Sequence, residues 1–161
     1  MQQLDSDEVR IHIKARPEHI YDVVSDVTRT PEFSPEILRC TWLDGATGPA
    51  IGASFEVVNR AGRGPAWKNG PVILAADRGR EFAFARTEKL AGTLVWRYGF
   101  EIDGDGTLVT ESYEVTEPIS RAGWFIIGTV CGNHDRRADL RAGMEQTLQR
   151  LRDVAESPAT A

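Results

Sequence analysis

The side chains best suited to act on a small molecule gather, by type and spacing, around Glu111. Within 107–116 it shares alternate positions with Val109, Tyr113 and Val115, and within 93–102 the same alternation collects Leu94, Trp96, Tyr98 and Phe100. A carboxylate among aromatic rings must find a partner, reach an open mouth or keep its proton, because an isolated buried charge is expensive. Two readings stay open. In one, Glu111 is paired with a neighbour such as the Tyr98 hydroxyl, or lies near an opening. In the other it is a polar anchor, or an acid/base of raised pKa, inside a ligand pocket. Arg86 lies near the end of an adjoining strand. His134 and Arg137, counted back from Leu140 by helical steps, are candidates to meet Glu111 and neutralise it. The competing reading of His134-Asp135-Arg136-Arg137 is a solvated stretch or a helix break after Gly132.

These positions depend on the elements that carry them. Val9 to Ala15 alternates strictly and reads as a half-buried strand. Pro17 sits where a helix starts, followed by Ile20, Val23, Val24 and Val27 at helical spacing. The segment Thr30-Pro-Glu-Phe-Ser-Pro35 ends that helix and leaves room for one short turn with Phe33 pointing inward. Six further strands are expected at 37–43, 53–58, 66–76, 81–87, 93–102 and 107–116, separated by Gly- and Asp-rich turns. Short connections between successive strands imply an antiparallel meander. After Pro118 the period becomes helical, and Leu140, Met144, Leu148, Leu151 and Ala155 form one stripe. The order strand, helix, short helix, six strands, long helix reads as an α+β fold, with a curved sheet around the last helix and a cavity between them.

The turn at Asp103–Gly106 allows a register test. With Ile102 opposite Thr107, Phe100 faces Val109, Tyr98 faces Glu111 and Trp96 faces Tyr113. The preceding hairpin pairs Phe84 with Trp96 and Phe82 with Tyr98. Parity agrees across all three strands, and a one-residue slip would turn every one of these side chains outward. His12 has the parity opposite to Ile11 and Ile13, and His19 lies in the first turn of a helix, so both are expected at the surface.

Composition narrows the function classes. The 161 residues fit one domain, with an ordered core over about 8–155 and polar ends. A hydrophobic fraction of 41% supports a real core. A net charge of −5 argues against coating nucleic acid, which needs a concentrated positive field. Cys40 and Cys131 form no CxxC pair, so no metal site or disulfide framework is suggested, and both thiols are expected reduced in a cytoplasmic protein. No run approaches the ~18 apolar residues of a membrane span. The acidic start MQQLDSDEVR does not read as a signal peptide. Gly62-Arg-Gly lacks the rest of a dinucleotide fingerprint, and no P-loop, HExxH or GxSxG pattern occurs.

The opening strand with Ala15-Arg-Pro-Glu-His-Ile-Tyr-Asp-Val-Val-Ser-Asp26, the connection Thr30-Pro-Glu-Phe-Ser-Pro-Glu36, and the six strands before a long helix resemble the START-like superfamily. That superfamily includes Bet v 1 allergens and bacterial polyketide cyclase/dehydrase-type proteins, and the resemblance covers about residues 8–155. It implies a helix-grip fold: a seven-stranded antiparallel sheet wrapped around the C-terminal helix, with two short helices at one end. It also implies a cavity for lipids, polyketides or related hydrophobic molecules. The family has no single catalytic motif to carry over, so the candidate site rests on strand parity.

The expected binder lines its pocket with Phe55, Phe82, Phe84, Trp96 and Phe100, with Phe33, Trp67 and Trp124 at the rim and Arg86 and Arg137 as polar contacts. The alternative is a polyketide cyclase, aromatase or dehydratase. Glu111 would then be the proton acceptor for enolisation and aldol closure, with Tyr98, Tyr113, Arg86 or His134 as donors. No cofactor and no metal are expected. The partner is a hydrophobic small molecule, and the protein is a monomer or homodimer.

Overall fold

The computed structural model describes residues 4–60, 62–88, 92–129 and 135–158. Eight strands and three α-helices appear in the order β1 (Ser6–Ile13), α1 (Pro17–Ser25), a 3-10 turn (Val27–Glu32), β2 (Ile37–Trp42), β3 (Phe55–Asn59), β4 (Trp67–Asn69), β5 (Val72–Asp77), β6 (Glu81–Glu88), β7 (Gly92–Asp103), β8 (Gly106–Glu117), α2 (Arg121–Thr129) and α3 (Arg136–Glu156). The class is α+β, as read from the element order. The expected seven-stranded sheet is corrected to eight strands in two sheets, β1-β8-β7-β6-β5 and β2-β3-β4. The difference lies at 66–76, where Gly70-Pro71 divides one expected strand into β4 and β5. Proline has no N–H to give a ladder, so β4 stays with β3 while β5 joins β6. The sheets remain stitched by backbone bonds between Gly52 N–H and Ile73 C=O and between Ile73 N–H and Ala53 C=O, both 2.9 Å.

The central register is the one the turn implies: Ile102 opposite Thr107, Phe100 opposite Val109, Tyr98 opposite Glu111, Trp96 opposite Tyr113. β6 adds Phe84 opposite Trp96 and Phe82 opposite Tyr98. Gly104 makes this hairpin possible, taking φ +58 in a two-residue turn where a side chain would be strained. Gly106 is needed for a different reason: a Cβ there would lie 2.2 Å from the Ile13 carbonyl oxygen of neighbouring β1.

α1 begins with Pro17 in its first turn, where the missing N–H costs nothing. Asp26 caps the 3-10 turn by accepting from Thr28 N–H at 3.2 Å and Thr28 Oγ1–H at 2.6 Å, and Phe33 beyond it is buried. α3 is capped by Asp135, which accepts from Ala138 N–H at 3.1 Å, and buries the expected stripe together with Thr147. His19 is exposed, with its ring 3.2 Å from the Ala155 carbonyl, and His12 reaches the turn carbonyl of Asp103 at 3.0 Å. The main core joins α1, β1, both sheets and the C-terminal half of α3 through residues such as Ile13, Ile20, Phe82 and Leu151. A second cluster, with Leu4, Tyr113, Leu140 and Met144 at its centre, sits under α2.

Candidate functional site

Between the inner faces of both sheets, the 3-10 turn and the N-terminal half of α3 lies a cavity. Its empty space, mouth included, is about 810 Å³, of which about 80 Å³ is open to the centre of a water molecule. It is therefore a narrow slot. Apolar and aromatic walls come from Phe33, Phe55, Phe82, Phe84 and Trp96, together with Val24, Val27 and Cys40. Leu140, Gly143, Met144 and Thr147 of α3 close the opposite side, and besides Glu111 the described acidic lining residues are Glu36 and Asp139. The rings hold one another edge to face: Phe55 and Phe84 have centroids 5.5 Å apart at 77°. Such contacts keep the wall rigid in addition to burying it.

Glu111 and Tyr98 are the polar pair in this wall. Both are buried, at 3% and 6% exposure, and the Tyr98 hydroxyl donates to Glu111 Oε1 at 3.0 Å. The second oxygen, Oε2, has no hydrogen-bond partner among the described residues. Burial pushes the Glu111 carboxyl up to about 8, against a smaller opposing pull from the Tyr98 hydroxyl. Glu111 is therefore a neutral carboxylic acid at neutral pH, able to donate as well as accept. Tyr98 stays a phenol, because burial and then the adjacent carboxyl raise it well above its ordinary value. Burial also lifts the Cys40 thiol to about 11, so it lines the cavity as an unreactive thiol. Both readings of Glu111 thus meet in one geometry: it is partnered by Tyr98 on one oxygen and presents a raised-pKa carboxyl to a cavity.

Arg86 lines the cavity but is committed elsewhere. Its Nε and terminal nitrogen donate to Glu88 Oε1 at 2.9 and 2.6 Å. The same oxygen accepts from Trp67 Nε1 and Asn69 Nδ2, each at 2.7 Å, so β4 and β6 are tied across the seam between the sheets. Burial opposes the Glu88 charge, yet Arg86 and these donors bring its pKa below the ordinary value. The guanidinium also lies 5.9 Å from the Trp67 ring centroid. At one end of the slot, Arg136 pairs with Glu36 at 3.1 Å, joining the start of α3 to the loop before β2.

Of the residues picked out from sequence, Phe33, Phe55, Phe82, Phe84, Arg86, Trp96, Tyr98 and Glu111 line the cavity together. Five are placed elsewhere. Phe100 packs edge to face on Tyr21 in the main core, 6.1 Å between centroids, beyond the end of the slot. Tyr113 packs on Trp96 at 5.4 Å within the second cluster, because α3 brings Leu140 and Met144 over it. Trp67 serves the Glu88 knot, and Trp124 of α2 rests on the second cluster. Arg137 is exposed on α3 and is not a lining residue, because the first turn of α3 before Asp139 contributes nothing to the described lining. His134 and Cys131 lie outside the described residues. Sequence reasoning missed Cys40, Gly143, Thr147 and Glu88. The α3 stripe pointed to the helix residues, since Gly143 and Thr147 fall between its apolar members.

A family model described as polyketide cyclase / dehydrase and lipid transport matches residues 6–156. The chain belongs to this family. Its fold agrees with solved members and relatives of the Bet v 1 type. A polyketide-cyclase-like protein from Corynebacterium glutamicum is 29% identical, with TM-score 0.62 over 96% of this chain and 93% of that one. The di-domain ARO/CYC StfQ from the steffimycin biosynthetic pathway is 16% identical with TM-score 0.75, and this chain, matched over 94% of its length, spans 50% of it. The major latex-like protein 151 of Panax ginseng is 16% identical with TM-score 0.69, over 94% and 97% of the two chains. No curated protein matches in sequence. Among the described residues of this polyketide-cyclase family member, no helix is long and apolar enough to cross a membrane, and no three His, Cys, Asp or Glu side chains gather to hold a metal.

Proposed function

We propose that the protein binds a hydrophobic small molecule, a polyketide or lipid-like compound, in the slot between the sheets and α3. The observation that carries this is the wall itself: six aromatic side chains and the α3 residues enclose a space whose polar lining includes a buried carboxyl with one oxygen unpartnered among the described residues. Apolar enclosure with a few convergent polar groups is the usual make-up of a small-molecule site. Family membership supports the same reading. Titration with the neutral fluorescent probe N-phenyl-1-naphthylamine tests it. Saturable enhancement is expected, with quenching of the tryptophan emission to which Trp96 contributes. No binding by this probe or by a panel of hydrophobic competitors would show that the rings are plain core.

A second reading, cyclisation or dehydration of a bound polyketide, is favoured by Glu111 and Tyr98 alone. A carboxyl with pKa about 8 is poised near neutrality for proton transfer, and a phenol stands beside it. Arg86 is held by Glu88, and Tyr113 lies off the cavity lining. Glu111→Gln is expected to abolish turnover of a poly-β-ketone while leaving its binding intact. Survival of both would make Glu111 structural.

A further inference from the structure

Resting on the reading that the slot binds a ligand, we infer that it selects uncharged molecules bearing an oxygen acceptor, such as a ketone, and rejects carboxylates of the same shape. Four observations carry this. First, Glu111 Oε2 is buried without a partner among the described residues, and Oε1 already accepts from Tyr98. The proton of the neutral carboxyl therefore belongs on Oε2, the oxygen without an acceptor. Second, the Trp96 indole N–H is buried without a partner among the described residues. An indole N–H can only donate. Trp96 and Glu111 both line the cavity and occupy diagonal positions of adjoining strands, since Trp96 faces Tyr113 and Tyr98 faces Glu111. Two donors in one wall call for an acceptor on the ligand, and an apolar ligand leaves both unsatisfied.

Third, the positive charge in the lining that an anion would seek is already neutralised: Arg86 gives two hydrogen bonds to Glu88. Fourth, the other ionisable lining groups give an anion no help. Glu36 and Asp139 are carboxylates, Glu36 paired with Arg136; Tyr98 and Cys40 have raised pKa values. A carboxylate would have to shed its water beside Glu111 with no free cation among the described lining residues. The cost of burying an uncompensated charge exceeds what two neutral donors return.

The test compares three probes of one shape on the unmodified protein: 2-acetylnaphthalene, 2-naphthoate and 2-ethylnaphthalene, by calorimetry or probe displacement at pH 6.5. The ketone is expected to bind at least about tenfold tighter than naphthoate and about two- to tenfold tighter than ethylnaphthalene. Glu111→Leu, checked for folding by its thermal transition, should erase the ketone's advantage over ethylnaphthalene, and Glu111→Gln, whose amide still donates, should keep it. Naphthoate binding as tightly as the ketone overturns this selectivity and leaves the hydrophobic-slot reading standing. Equal binding of ketone and ethylnaphthalene overturns the donor pair. If none of the three binds while the protein is folded, both the selectivity and the slot reading fall.

Discussion

Gly143 offers the sharpest handle on the slot. It lies on α3 between Leu140 and Met144, lines the cavity, and an added Cβ would meet nothing within 4 Å. Glycine inside a helix costs about 1 kcal/mol relative to alanine, so Gly143→Ala should stabilise the protein by about that amount. For a domain of this size the midpoint should rise by about 2–4 °C. Gly143→Leu keeps the backbone gain and sends four carbons into the slot. The 80 Å³ open to water centres corresponds to only about five to eight water positions, and leucine takes roughly half of them. Burying part of that side chain should add a further 1 kcal/mol or so to stability, below the about 1.5–3 kcal/mol of full burial because the slot opens at a mouth. Affinity for N-phenyl-1-naphthylamine should fall at least about tenfold, equivalent to about 1.4 kcal/mol. Paired thermal melts and probe titrations on wild type, Ala and Leu variants give the answer. A Leu variant that melts higher yet binds the probe unchanged would refute the placement of the ligand. An Ala variant that melts lower would show that the space beside Gly143 is not open.

Three other outcomes follow from the buried charges. Glu111 has a folded pKa of about 8, above its unfolded value, so the folded state binds the extra proton between roughly pH 4.5 and 8 and loses stability as pH rises through that window. Between pH 5 and pH 7 this amounts to about 3 kcal/mol, and Glu111→Gln should flatten that part of the melting profile; an unchanged slope would refute it. Glu88 has the opposite sign: its pKa is lowered, so its contribution is present above its unfolded value and is lost as pH falls below it. Glu88→Ala removes the acceptor shared by Arg86, Trp67 and Asn69 and should cost about 2–3 kcal/mol in denaturant unfolding, with the seam between the sheets losing amide protection first. Arg136→Ala breaks the largely buried pair with Glu36 at one end of the slot and should speed probe release in stopped flow about fivefold, while costing about 1–2 kcal/mol in thermal unfolding.

Much of this protein is legible along the chain because its elements are local. Alternation gave the inner face of β6, β7 and β8, and one Gly-containing turn set the register for ten paired positions, up to the irregularity between Thr93 and Leu94. That set included the opposition of Tyr98 and Glu111, which is a consequence of counting alone. The α3 stripe was equally plain, because a helix repeats its burial every three or four residues.

The same parity could not say which inward positions border empty space and which are filled. Phe100 and Tyr113 share a face with Tyr98 and Glu111, yet α1 covers one through Tyr21 and α3 covers the other through Leu140 and Met144. The division of the sheet at Gly70-Pro71, the capture of Arg86 by Glu88, and the room beside Gly143 are likewise products of packing between distant segments. Sequence by itself determined the α+β order, the strand faces and the presence of one carboxyl among rings. Tertiary structure decided that this carboxyl is buried, raised in pKa and unpartnered on one oxygen among the described residues. The reason is that pattern specifies direction, whereas a cavity and the pKa within it depend on what every other element leaves unfilled.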